Sequence, residues 1–315
     1  MAKSYNSKDI VVLEGLDAVR MRPGMYIGTT GAKGYHHLLW EIVDNSIDEI
    51  ANGYGNKITV TLNKDGSCSV EDNGRGIPTD IHPKLKISGV EVVYTQLHAG
   101  GKFESENYTF SGGLHGVGAS VTNALSRFCN VTVKRDGKVF FMEFESKEVN
   151  GQIKSGIVKS ALKQIGVTKE TGTLVTFLPD DRVFKDLTFN RETILSRLKE
   201  LAYLNKGLII NFVDNREEKT FVKQFNFTGG LNDFVLNLVE NKKMLYNTPF
   251  YLEGQSDLVR VKLAFIHTSE YVDNIYSYVN NIPTTEGGTH ETGFKSALTR
   301  IFNETARKYN FIKDK

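Results

Sequence analysis

Apolar residues recur at helical spacing over residues 34–53. There Leu39, Ile42, Val43, Ile47 and Ile50 form one stripe, which predicts a long amphipathic helix. The pattern then changes to strand-like runs. Segments 57–62 and 67–71 flank Asp65-Gly66, and 130–134 and 138–144 flank Asp136-Gly137, so each pair predicts a hairpin closed on a turn dipeptide. Further strands are predicted at 172–178 and 208–213, with a helix at 191–204 between them. Strands joined directly as hairpins point to an α+β layered domain rather than a repeating βαβ sheet. The pattern shifts again near 221–230. Beyond it the sequence predicts a helix at 231–240, strands at 258–267 and 275–281, and a closing helix at about 291–308, punctuated by Gly229-Gly230 and Gly287-Gly288. Two domains are expected, 1–225 and 226–315.

Composition changes this picture little. The 315 residues suffice for two domains, and 40% hydrophobic content supports ordinary cores. A net charge of +2, from 39 basic and 37 acidic residues, leaves no nucleic-acid footprint. No apolar run is long enough to span a membrane, and the first seven residues lack the apolar core of a secretory signal. Cys68 and Cys129 stand far apart in no metal-ligand spacing, and they read as buried side chains in a reducing compartment. A cytoplasmic location without a membrane partner is the expectation.

Candidate chemistry sits in five places. On the first long helix Glu41, Asn45 and Asp48 stand at i, i+4 and i+7, opposite the apolar stripe. A carboxylate there can activate a water, and an amide oxygen one turn on can serve a hard cation such as Mg2+, although a solvated acidic face has the same pattern. Next, Glu71-Asp72-Asn73-Gly74-Arg75-Gly76-Ile77-Pro78 ends a strand in carboxylates followed by two glycines. An ionised aspartate only accepts hydrogen bonds, which suits an exocyclic amine such as that of adenine, and a polar turn is the plainer alternative. Ser111-Gly112-Gly113-Leu114-His115-Gly116-Val117-Gly118-Ala119 runs into a predicted helix at 121–125, an arrangement that can cradle phosphate on backbone N–H groups. It is not a P-loop, since no Lys-Ser or Lys-Thr follows the glycines. Lys102 lies just upstream as a point charge or an ordinary loop lysine, and Thr173 in Thr171-Gly172-Thr173 could back up the aspartate.

In this order the segments resemble the gyrase-type (GHKL) ATPases, and more closely the bacterial gyrase and topoisomerase IV B-type subunits. The resemblance is carried by 12–20, by Arg22-Pro23-Gly24-Met25-Tyr26-Ile27-Gly28, by 110–118, and by Tyr278-Val279-Asn280-Asn281-Ile282-Pro283-Thr284 followed by Gly287-Gly288-Thr289-His290. It implies a two-layer α/β sandwich of the GHKL (Bergerat) type followed by part of a transducer domain. It further implies ATP and Mg2+, with Glu41 as general base, Asn45 as metal ligand, and Asp72 as adenine anchor supported by Thr173. Gly76, Ile77 and Pro78 would line the adjoining wall, with Arg75 and Arg135 on a polar rim where Glu49 could pair. Lys102, Tyr108 and Gly112, Gly113, Leu114, His115, Gly116, Val117, Gly118 and Ala119 would close over the triphosphate. Tyr5 would reach the nucleotide of a second copy, making an ATP-dependent homodimer through an N-terminal arm.

The implied partners are a second copy of the chain, an A-type topoisomerase subunit and double-stranded DNA. The implied function is ATP-driven dimer closure that powers DNA strand passage. Such family members continue into a Gln-Thr-Lys loop, and the sequence stops at Lys315 before it, so weak hydrolysis and weak dimerisation are expected. The other readings of the same pocket are a non-hydrolysing nucleotide-binding module, a mismatch-repair clamp, a chaperone and a sensor kinase. Only about forty residues precede Glu41, too few for a kinase's dimerising helix, and the 287–290 motif does not suit the repair and chaperone classes.

Overall fold

The structure, a computed structural model, describes residues 6–7, 15–99, 112–113, 116–256 and 259–312. Its main body is a sheet of eight strands: β1 (Lys57–Leu62), β2 (Cys68–Asp72), β3 (Ser126–Arg135), β4 (Lys138–Val149), β5 (Gln152–Val167), β6 (Gly172–Pro179), β7 (Ile209–Asp214) and β8 (Phe221–Phe225). They lie in the order β5-β4-β3-β6-β2-β1-β7-β8. Every pairing is antiparallel except β1 with β7, so the directly joined hairpins dominate, as the turn dipeptides predict.

Alternation decides which face is covered. A row of facing residues, Met142, Val131, Val175, Val70, Val60 and Phe212, crosses five pairings, and each is at most 3% exposed. The intervening positions Thr132, Thr176, Ser69, Thr61 and Asn211 are only half buried. One apolar face and one polar face make this a two-layer sandwich.

The helical layer consists of α1 (Gly15–Met21), α2 (Gly24–Ile27), α3 (Ala32–Ala51), α4 (Gly89–Thr95), α5 (Gly118–Ala124) and α6 (Arg191–Leu204). Leu38, Leu39, Ile42, Val43 and Ile47 of α3 are buried in the shared core. Asn190 caps α6, its side chain accepting from the Thr193 N–H at 2.8 Å, which fixes that helix where the sequence predicts it.

After β8 come α7 (Leu231–Leu238), a separate hairpin of β9 (Phe250–Ser256) and β10 (Val259–Phe265), a short hairpin of β11 (Tyr278–Val279) and β12 (Ile282–Pro283), and α8 (Thr289–Lys308). The strand predicted over 275–281 shrinks to two residues. Asn280 and Asn281 adopt φ of 48° and 69°, a left-handed pair that turns the chain straight back. The sequence pattern does not predict β5, β8, β9, α1, α2 or α4. β5 is the sheet edge and breaks register with β4 at several bulges, so its residues keep no steady alternation. Among the described residues no helix is long and apolar enough to cross a membrane.

Candidate active site

The site is built on α3 and the ends of β2 and β6. Asp72 closes β2, half buried, with its carboxylate against α3. Its Oδ2 accepts from Ser46 Oγ at 2.9 Å, and its Oδ1 accepts from the Gly74 N–H at 2.9 Å and the Thr173 N–H at 3.3 Å. Burial pushes the Asp72 carboxyl up, against the three donors that favour its ionised form. Close packing behind it requires glycine. A Cβ on Gly172 would lie 2.0 Å from the Asp72 carbonyl oxygen, and one on Gly76 would lie 2.9 Å from that of Lys134.

The rim predicted beside this carboxylate is present. Glu49 takes a fork from Arg75, with Nε to Oε2 at 3.0 Å and Nη2 to Oε1 at 2.9 Å, and the Arg75 guanidinium lies 3.7 Å from the Tyr54 ring centroid. Arg135 Nη1 donates to the Gly76 carbonyl at 2.7 Å. Ile77 is half buried beside the core, and Pro78 is exposed.

At its middle α3 presents Glu41, 29% exposed. His37, one turn earlier, places Nε2 2.9 Å from Glu41 Oε1. That hydrogen bond to Glu41 raises the His37 pKa, overcoming the opposing effect of burial. Gly118, the first residue of α5, is packed against the same carboxylate, and a Cβ there would fall 1.9 Å from Glu41 Oε2. The glycine-rich segment therefore meets Glu41 at its far end. At its near end the Gly112 N–H donates to Asp48 Oδ1 at 2.8 Å. Asp48 is 3% exposed, so it belongs to the interior and not to a solvated acidic face. Asn45 is half buried between Glu41 and Asp48 on the same helix.

With a rise of about 1.5 Å per residue, α3 separates Glu41 from Ser46 by about 8 Å along its axis. The two carboxylates, Glu41 and Asp72, thus stand at two stations of one helix. Gly113, Gly116, Val117 and Ala119 are among the described residues of the glycine-rich segment, Gly116 with a left-handed φ of 60°. Tyr5, Lys102, Tyr108, Leu114 and His115 lie outside the described residues. Two cavities of about 360 and 440 Å3 lie elsewhere, and neither is lined by Glu41 or Asp72.

Sequence reasoning did not single out His37 or Ser46. A histidine one turn before a glutamate is a readable i, i+4 pair and was the available signal. Ser46 carries no such mark, because its partner comes from another element.

A sandwich with a half-buried strand-end aspartate facing a long helix, and Gly112 and Gly118 set against that helix, places the chain in the fold class of the histidine kinase-, gyrase B- and HSP90-like proteins. The family model for histidine kinase-, DNA gyrase B-, and HSP90-like ATPases matches residues 30–182, and that for DNA gyrase B matches 230–315. The DNA gyrase B protein of Spiroplasma citri is 52% identical over 307 residues, covering 96% of this chain and 46% of the relative. The B-type subunit of DNA topoisomerase 4 from Staphylococcus aureus is 50% identical over 313 residues, covering 99% of this chain and 46% of the relative. The crystal structure of the 43K ATPase domain of Thermus thermophilus gyrase B in complex with an aminocoumarin superposes with a TM-score of 0.81 at 43% identity, covering 95% of this chain and 75% of that one. The chain belongs to the family of bacterial DNA gyrase and topoisomerase IV B-type subunits. It spans about half the length of the curated relatives it matches.

Proposed function

We propose that this chain binds ATP along α3 and hydrolyses it, as the ATPase part of a B-type subunit of a type IIA topoisomerase. In this reading Asp72 accepts the exocyclic amine of adenine, with Thr173 and Ser46 holding its carboxylate, and Gly76, Ile77 and Pro78 form the adjoining wall. Gly112, Gly113, Gly116, Val117, Gly118 and Ala119 follow the phosphates, together with Lys102, Tyr108, Leu114 and His115. Glu41 takes the proton of the attacking water, and His37 keeps its carboxylate oriented. The observation that carries the proposal is Asp72, a half-buried carboxylate with three donors, tied through Ser46 to the same helix that presents Glu41 against Gly118.

Asn45 fits an Mg2+ ion in donor chemistry. The metal takes few protein oxygens and completes its shell with water and phosphates, and no group of three or more His, Cys, Asp or Glu that could hold a metal occurs among the described residues. Bound there, the ion would neutralise charge developing on the phosphates.

Two units, 1–225 and 226–315, suit an ATPase domain and part of a transducer domain. Tyr5 would contact the nucleotide of a second copy, so that ATP binding and dimer closure become one event, provided ATP contacts the closed dimer better than the open one. An A-type subunit and double-stranded DNA in the cytoplasm complete the strand-passage machine. Glu41→Ala and Asp72→Asn test the reading together by titration calorimetry and phosphate release. Glu41→Ala is expected to keep ATP affinity and lose about 10²–10⁴ in turnover. Asp72→Asn is expected to weaken binding about tenfold or more, since a charged acceptor is lost. Loss of binding in Glu41→Ala would refute its role as the base.

A further inference from the structure

The β11–β12 hairpin is gripped from two sides. On one side it is fastened to α6. Tyr278 Oη donates to Glu200, Glu200 is ion-paired with Arg197, and Arg197 Nη2 donates to the Asn281 carbonyl at 2.9 Å. The side-chain amides of Asn205 and Asn281 exchange hydrogen bonds at 3.3 and 3.4 Å. Burial, reinforced by Glu200, pushes the Tyr278 phenol far above its ordinary range, so it remains a donor near neutral pH. On the other side the tip of the hairpin meets the glycine-rich segment. A Cβ on Gly112 would lie 3.0 Å from the Asn280 carbonyl oxygen and 3.7 Å from both Ile282 Cδ1 and Asp48 Oδ1. The φ of Gly112 is not left-handed, so a side chain there would meet no backbone strain, only a close contact with the Asn280 carbonyl, which would have to give by a few tenths of an ångström.

Gly112 is therefore set between two elements that do not touch each other in sequence. Its N–H is held by Asp48 of α3, and its Cα is backed by the carbonyl of Asn280. The bracing residues Arg197, Glu200 and Asn205 belong to the same layer as α3, so the hairpin forms a rigid bracket from that layer back onto Gly112. We propose that the β11–β12 hairpin is a positioning element of the nucleotide site, through which Tyr278, Arg197 and Asn281 fix the start of the glycine-rich segment against α3. The inference rests on the ATP reading above and deepens it. It makes the seat of the glycine-rich segment depend on a hairpin that follows the main sheet in sequence, while the Asp72 carboxylate is held by Ser46, Gly74 and Thr173 and not by the hairpin.

The full 315-residue chain carries the test. Tyr278→Phe removes the donor to Glu200, Asn281→Ala removes the amide pair, and Gly112→Ala introduces the close contact without touching α6. ADP and the non-hydrolysable β,γ-imido analogue of ATP are titrated against each variant. All three variants are expected to bind the triphosphate analogue about tenfold more weakly, with a smaller loss for ADP, which has one phosphate fewer to lie along the segment. Equal weakening for both nucleotides would mean a general structural role and overturn the proposal, as would no change for either. Should Tyr278→Phe or Asn281→Ala lower the melting temperature, Gly112→Ala decides. An unmodified chain that binds neither nucleotide would overturn the ATP reading itself and this inference with it.

Discussion

Gly118 and Glu41 show how tightly single residues constrain this site. The carboxylate of Glu41 is held by His37 on one oxygen and crowded by the Gly118 backbone at the other. Adding one methyl group at Gly118 would place it 1.9 Å from Oε2, so the carboxylate would have to swing away. Its φ lies outside the left-handed region, so alanine is free of backbone strain there and the cost falls on Glu41. Gly118→Ala is therefore expected to lower turnover by about 10² or more while the fold persists, because the water-activating group is displaced rather than removed. The double variant with Glu41→Ala should be no slower than Glu41→Ala alone, since the two changes act on one step. Additive losses in steady-state rates would disprove the connection. The sequence could place Glu41 and Asn45 on one helix face, because that needs only the helical period. It could not tell that Asp48 turns inward, because its partner, the Gly112 N–H, lies 64 residues away in the chain.

At the scale of elements, the junction of α3 with the loop after β2 sets where the adenine end would sit. Glu49 in the last turns of α3 grips both the backbone N–H and the guanidinium of Arg75, and the guanidinium stacks on Tyr54 just beyond the helix. The pair is only partly exposed, at 30% for Arg75 and 15% for Glu49, so solvent screens it incompletely. Arg75→Gln is expected to cost about 1 kcal/mol in urea-unfolding stability through the lost fork. It should also weaken ADP and ATP equally, because the site is loosened at the end both nucleotides share. A selective loss of ATP would place Arg75 at the phosphates instead. Elements with local signals were legible in sequence: both Asp-Gly hairpins, and α3 and α6 by their apolar spacing. Those governed by distant contacts were not. β5 carries polar residues on both sides at a bulged edge, and β11 is short because two asparagines adopt left-handed backbone angles. The short helices α1, α2 and α4 have too few turns for a period to show.

Across the whole molecule, two fully buried carboxylates staple the layers together at places remote from Asp72. Asp180, past the end of β6, takes Arg20 of α1 at 2.7 Å and Arg182 at 2.6 Å, while Arg182 also reaches the Ser146 carbonyl of β4 at 2.7 Å. Asp214, ending β7, takes Arg191 of α6 and Arg216, each at 2.8 Å, and Arg216 reaches the Phe189 carbonyl at 2.6 Å. Burial by itself would push Asp180 up, but Arg182 and Arg20 overcome it and hold its pKa at about 2. Arg216, and then Arg191, hold Asp214 lower still against its own burial. A carboxyl depressed in the folded state binds its proton more readily when the chain is unfolded. Its stabilisation is complete above the unfolded value of about 3.9 and is lost as pH falls through the folded one. Unfolding free energy should therefore be nearly flat in this respect above about pH 5 and fall steeply from about pH 4 toward pH 2, with Asp180 contributing about 2 kcal/mol of that fall. Asp180→Asn should be destabilised at pH 7, where Arg20 and Arg182 lose their buried counter-charge. Its deficit against the unmodified chain should narrow as the pH drops, because the parent loses the same carboxylate by protonation. Urea titrations of both proteins across this range would refute the account if the gap stayed constant, since a constant gap would mean that the aspartate holds the layers by shape and not by charge.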